Sequence, residues 1–136
     1  MATRVDQLKA IPLFSGLAHA DVQFLAGQMN EVSVPAGTVL ITEGTGNNVF
    51  FVILEGVVDV SVRGTYRRTL GPHDFFGEIS MMELDPATAT VASRTPVRAL
   101  VMSPAQFSAV QAHETVMREL EAAKSQRLRA DRKVKE

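Results

Sequence analysis

From Val32 onward the chain is cut at short intervals by glycine-bearing turns, and that punctuation rules out most architectures. The turns are Pro35–Gly37, Gly44–Asn48, Glu55–Gly56, Arg63–Gly64 and Gly71–Pro72, and the segments between them are rich in Val, Ile, Phe and Thr. Apolar, β-branched segments this short read as strands. Val58, Val60 and Val62 alternate with Asp59, Ser61 and Arg63, the period of a strand buried on one face. Arg63-Gly64-Thr65 then reads as a hairpin turn into Tyr66–Leu70. Closely spaced strands joined by tight turns favour an antiparallel barrel or sandwich over βαβ units, whose crossovers need helices.

Helical patterns flank and interrupt the strands. Val22, Leu25 and Met29 fall at helical spacing within Ala20–Met29, with Asp21 near the start, where a carboxylate suits the helix dipole. After Gly77 the strand rhythm breaks: Glu78–Leu84 is predicted to form one or two helical turns, ended by Asp85-Pro86. Thr88–Ser93 and Val97–Met102 return to strand character. Ser103-Pro104 then supplies an N-cap and a first-turn proline for a helix over Ala105–Gln111. From Glu114 the composition is helical, with Val116, Leu120 and Ala123 on one stripe and a basic end of Lys124, Arg127, Arg129, Arg132, Lys133 and Lys135.

Composition closes off several functions. At 136 residues and 46% hydrophobic content, the chain is expected to be one domain over 1–136, with lead-in, roll and following helix over 11–112 and a terminal helix and basic tail over 113–136. Fourteen basic against fifteen acidic residues leave a net charge of −1, so no global basic field points to nucleic acid or an anionic membrane. Without cysteine there is no disulfide, thiolate nucleophile or Cys-ligated zinc, which suits a reducing cytoplasm. The longest apolar run, Val49–Leu54, is far short of the roughly 20 residues of a bilayer span, so a soluble protein is expected. His19, His73 and His113 lack metal-ligand spacing. Glu78, Glu83 and Asp85 share one short segment with no nucleophile or oxyanion donor opposite, so no enzymatic activity is expected. Gly44-Thr45-Gly46 lacks a third glycine and leads into a strand, which makes it a turn rather than a nucleotide loop.

The stretch Phe76-Gly77-Glu78-Ile79-Ser80, followed by Pro86-Ala87-Thr88-Ala89-Thr90-Val91, resembles the phosphate-binding cassette of the cyclic nucleotide-binding domain family, commonly F-G-E-[LI]-[AS] then P-R-x-A-T-V. Pro35–Gly37, Glu43-Gly44, Val49–Gly56 and Val58–Val60 are similar to the family's strand and glycine pattern, and Ile11–Leu17 to its helical lead-in. The resemblance runs from about Ile11 through the terminal helix. It implies a cupin-like antiparallel β-roll, or jelly roll, with N-terminal helices, a short cassette helix and a C-terminal helix, as in Crp/Fnr regulators and cyclic-nucleotide-dependent kinase regulatory subunits.

Gly77 lets a phosphate approach the backbone, and the amides of a helix starting there attract an anion. The resemblance implies a ligand site of Gly77, Glu78, Ile79, Ser80, Ala87, Thr88 and Ala89, with Glu78 on the ribose 2′-hydroxyl. It departs from the family at Ala87, where the family's phosphate-binding arginine would stand, and at His73, where the family commonly has glycine. Arg63, Arg67, Arg68, Arg94, Arg98 and an inward-turned His73 are the alternative cations. Thr88, directly after the arginine position, is a better ligand contact than Thr90.

The function expected is therefore a regulatory sensor domain for cAMP, cGMP or a related phosphorylated small molecule, with weakened or altered phosphate recognition and no other cofactor. The alternatives are a degenerate member acting as a protein-interaction module through the terminal helix, and the sensor half of a Crp/Fnr-like transcription regulator. No helix-turn-helix follows the long helix in this sequence, so direct DNA binding is not expected of it. In the family that helix can mediate dimerisation, which makes a homodimer one expected assembly.

Overall fold

The computed structural model describes residues 4–12, 14–15, 17–45, 49–77, 89–103, 105–106, 108, 111–114, 117–118, 121–122 and 125. In chain order the elements are α1 (Arg4–Lys9), α2 (His19–Gln28), β1 (Asn30–Val34), β2 (Val39–Ile41), β3 (Phe50–Glu55), β4 (Val58–Val62), β5 (Thr65–Leu70), β6 (Phe75–Phe76), β7 (Thr90–Ser93) and β8 (Val97–Met102). The strands form two four-stranded antiparallel sheets, ordered β1-β8-β3-β6 and β2-β7-β4-β5. This is the β-roll implied by the resemblance.

Two apolar layers explain the sequence pattern. Phe51 and Ile53 from β3 and Val97 and Ala99 from β8 meet Ile41, Val58, Val60, Leu70, Phe76 and Val91 between the sheets. Phe50 and Val52, with Leu100 and Met102, face the other way, onto Leu8, Ile11, Phe14, Val22, Leu25 and Met29 of the helical lead-in. β3 is thus covered on both faces, which is why Phe50–Leu54 reads as an unbroken apolar run rather than an alternation. The helical spacing of Val22, Leu25 and Met29 holds, since all three are buried against that layer.

The expected hairpin after Val62 is present. Arg63 and Gly64 have φ of 51° and 77°, the two left-handed positions of a type I′ turn, and Val62 pairs with Thr65. Further along, the register slips between Val60 and Ser61, where Ser61 pairs with Tyr66 but Val60 with Arg68. Arg67 is the extra residue of a β-bulge.

The sequence places a cap at Ser103, and the bonds are those of a capping box. The Gln106 amide donates to Ser103 Oγ at 3.3 Å, and the Ser103 amide donates to Gln106 Oε1 at 2.8 Å. Residues 105, 106 and 108, and later 114, 117, 118, 121, 122 and 125, are helical. The stripe of Val116, Leu120 and Ala123, the basic tail and the inserted helix over Glu78–Leu84 lie outside the described residues. Among the described residues no helix is long and apolar enough to cross a membrane.

Candidate functional site

The chain enters the cassette from a short strand that is fixed on two sides. β6 pairs with β3 through Phe51↔Phe76 and Val52↔Phe75. The Phe76 ring stacks on Phe51 at 4.6 Å with 12° between planes, and Phe75 on Phe50 at 5.9 Å. Such aromatic pairs contribute about 0.5–1.5 kcal/mol each beyond their burial. Immediately after this anchor Gly77, half-buried, adopts φ 93°, a left-handed backbone position that favours glycine, where the resemblance puts the start of the ligand loop.

The turn before β6 explains the departure at His73. The Asp74 amide donates to the Gly71 carbonyl at 3.0 Å, and the Gly71 amide to Asp74 Oδ2 at 2.9 Å. Pro72 and His73 occupy the centre, with His73 at φ 77°, so this is a type II turn whose third position favours glycine. The His73 amide donates to the Ile53 carbonyl and the Ile53 amide to that of Asp74, both at 2.8 Å, which locks the turn to β3. The His73 side chain is exposed, which corrects its reading as an inward cation.

The chain returns at Ala89, half-buried against the layer between the sheets, and enters β7 at Thr90. Thr90 Oγ1 accepts the Glu43 amide at 3.0 Å, and Glu43 Oε1 accepts the Arg63 amide at 2.7 Å. This rim joins the loop after β2, the β4–β5 turn and the cassette's exit. Thr90 is therefore engaged with the protein's own backbone. Sequence reasoning misses Glu43 as a rim residue, because a carboxylate serving a backbone amide twenty positions away leaves no local motif.

Of the sequence-predicted site, the described residues are Gly77 and Ala89, at the cassette's two ends. Glu78, Ile79, Ser80, Ala87 and Thr88 lie outside the described residues. Two alternative cations are committed elsewhere. Arg94 makes a bidentate pair with Asp59, Nε to Oδ2 at 3.0 Å and Nη2 to Oδ1 at 2.7 Å, on an exposed outer face. The hydrogen bond and charge of Asp59 raise the Arg94 pKa still further above neutrality. Arg98 bridges Glu55 at 2.9 Å and Glu31 at 3.4 Å on the other sheet. Arg63 is exposed at the hairpin tip, while Arg67 and Arg68 of β5 are half-buried. Among the described residues no group of three His, Asp or Glu side chains could hold a metal ion.

The cyclic nucleotide-binding domain matches residues 31–124 of this chain. A cyclic nucleotide-gated potassium channel of Mesorhizobium japonicum is 34% identical over 98 residues, covering 72% of this chain and 27% of the channel. A cAMP-dependent protein kinase regulatory subunit of Yarrowia lipolytica is 31% identical over 93 residues, covering 67% of this chain and 25% of that subunit. The chain thus spans about a quarter of the length of these relatives. Among solved structures, a triple mutant of the regulatory subunit of a cAMP-independent protein kinase A from Trypanosoma brucei, bound to cAMP in its A site, superposes with a TM-score of 0.83 at 25% identity. It covers 89% of this chain and 46% of that one, and one of its three substitutions introduces an arginine. With the roll, the anchored Phe76-Gly77 turn and a match across more than half of its residues, this chain belongs to the cyclic nucleotide-binding domain family.

Proposed function

We propose that the chain is a cytoplasmic, non-catalytic sensor domain that binds cAMP, cGMP or a related phosphorylated small molecule with weakened phosphate recognition. The site is Gly77, Glu78, Ile79, Ser80, Ala87, Thr88 and Ala89, and the terminal helix carries the output to a partner protein or a second copy. The observation that carries this reading is the left-handed turn at Gly77, set between a stacked aromatic anchor and the cassette. A backbone turned there presents amides to an anion without a side chain in the way.

The weakening follows from Ala87. A charge-assisted hydrogen bond contributes about 1.5–3 kcal/mol, which at about 1.4 kcal/mol per decade is roughly a 10- to 150-fold change in Kd. Ligand enters the pocket with its amides and Glu78 as recognition groups, and the helix shifts by as much as the ligand's differential affinity for the two states allows. Titration calorimetry with cAMP and cGMP tests this. Weak binding in the wild type and a roughly 10- to 150-fold gain in Ala87→Arg are expected. Absence of heat and of thermal stabilisation at millimolar ligand in both proteins would sink the reading. The second reading, a degenerate member that serves as an interaction module, is favoured by the same Ala87, and it takes over on that outcome.

A further inference from the structure

Each sheet ends in two edge strands, β1 and β6 in one and β2 and β5 in the other, and all but β1 are guarded. β6 has two residues, β2 has three with a break in register between Val39 and Ile41, and β5 carries the bulge at Arg67. Short strands, irregular pairing and bulges are ordinary means by which a sheet refuses a further strand. β1 has none of them. Its five residues, Asn30–Val34, pair in unbroken register with β8, and no backbone partner stands on their other side among the described residues. Its one charge does not guard the edge either, because Glu31 is engaged by Arg4 at 3.8 Å and Arg98 at 3.4 Å.

The free edge has defined ends. Before it, Arg4 Nη1 donates to the Met29 carbonyl at 2.8 Å. After it, Pro35 has no N–H to give, and its carbonyl accepts Thr38 Oγ1 and Ser93 Oγ, both at 2.8 Å. The faces are defined as well. Val32 and Val34 are half-buried against the layer between the sheets, while Glu31 and Ser33 lie on the opposite face, where β8 sets Leu100 and Arg98 beside them. A strand added here must therefore match five residues, be apolar at alternate positions on the roll side and present no carboxylate to Glu31.

We propose that the occupant is β1 of a second copy of this chain, antiparallel and centred on Val32, which joins the β1-β8-β3-β6 sheets of the two copies into one. In that register Val32 faces its twin, Asn30 faces Val34, and Glu31 of one copy faces Ser33 of the other, so inward residues meet inward ones and no like charges oppose. The other registers fail. A one-residue slip sets inward against outward side chains, a centre on Glu31 puts two carboxylates face to face, and a centre on Ser33 brings Glu31 against Pro35, which has no N–H. Arg98 stands directly beside Ser33 on β8, so the incoming Glu31 approaches a guanidinium across a small side chain. Alternate backbone groups along the edge close roughly four to six new hydrogen bonds. A five-residue edge is a small contact, so the dimer is weak and concentration-dependent. The nucleotide reading uses no residue of β1, and its own titration judges it separately.

The test is sedimentation velocity of wild type, Ser33→Glu and Ser33→Lys from micromolar to millimolar protein, with hydrogen exchange of the wild type at both ends of that range. The wild type is expected to move toward the dimer as concentration rises, with amides of Asn30–Val34 gaining protection. Ser33→Glu sets like charges at both symmetric positions and is expected to weaken association by roughly 2- to 30-fold, whereas Ser33→Lys meets Glu31 and strengthens it by a similar factor. Position 33 is exposed, and an unchanged melting temperature confirms the fold of each variant. A monomer throughout, or an association that the two substitutions do not move in opposite directions, overturns the edge pairing. So does a wild-type dimer without added protection at Asn30–Val34, a result that depends on neither variant.

Discussion

Gly56→Ala is the sharpest test of the fold's internal geometry. Gly56 has φ 95°, and a Cβ built on it would lie 2.2 Å from the Pro96 carbonyl oxygen, 2.9 Å from Val97 Cα and 3.0 Å from Val97 Cγ2. To reach 3.0 Å, the least that real Cβ atoms keep, the two turns must separate by roughly 0.8 Å. They are braced against doing so. The Arg94 amide donates to the Val57 carbonyl at 2.9 Å, and the Val57 amide donates to Thr95 Oγ1 at 3.0 Å. The left-handed backbone costs an L-residue about 1–2 kcal/mol, and forcing atoms into a packed site about 1–3 more. Gly56→Ala should therefore lose about 2–5 kcal/mol, a large share of the roughly 5–15 kcal/mol of an ordinary domain. Gly64→Ala separates the two causes, because Gly64 has φ 77° but a Cβ placed on it would meet nothing within 4 Å, so only the backbone cost of about 1–2 kcal/mol applies. Urea unfolding of both variants gives the comparison. Equal losses would refute the claim that contact with the 94–97 turn makes glycine obligatory at position 56.

Two further substitutions test how the turns are held. Ser93 is 4% exposed, and its Oγ accepts the Thr38 amide at 2.9 Å and donates to the Pro35 carbonyl at 2.8 Å. Ser93→Ala should lose about 1–3 kcal/mol, read as a lower urea midpoint at unchanged slope, and an unchanged midpoint would count against that clamp. His73→Gly relieves the left-handed position of the type II turn and should gain about 0.5–1 kcal/mol net of glycine's greater unfolded freedom, seen as a rise of a few degrees in melting temperature. A fall would mean that the imidazole makes a stabilising contact.

The strand pattern was legible because burial on one face writes period two into the residues, as at Val58, Val60 and Val62, and burial on two faces writes an apolar run, as at Phe50–Leu54. The cassette's ends were legible because Phe76-Gly77 and Ala89 sit in a spaced motif. The roles of Ser93, Glu43 and Gly56 were not, for one shared reason: each acts on a partner from a different part of the chain, Pro35 and Thr38, Arg63, and Pro96 in turn. Local sequence carries no mark of such long-range pairs.

The register of β5 was not legible in the sequence for a different reason. Counted from the turn at Arg63-Gly64, regular pairing would set Arg67 opposite Val60 and Thr69 opposite Val58, with Leu70 on the outer face. A one-residue slip moves every later side chain to the other face of the sheet. The bulge at Arg67 makes that slip: Leu70 now opposes Val58 and is buried at 7% exposure, Thr69 opposes Asp59 outside, and Arg68 opposes Val60 inside. Burying Leu70 favours the bulge by about 1.5–3 kcal/mol, enough to offset a lost ladder bond of about 0.5–1.5 kcal/mol. The same apolar requirement that fixes the hairpin's register therefore sets Arg68, rather than Arg67, opposite Val60. Core packing thus dictates the register shift, and a variant that restores regular pairing would move Leu70 to the outer face and set Arg67, in place of Arg68, opposite Val60.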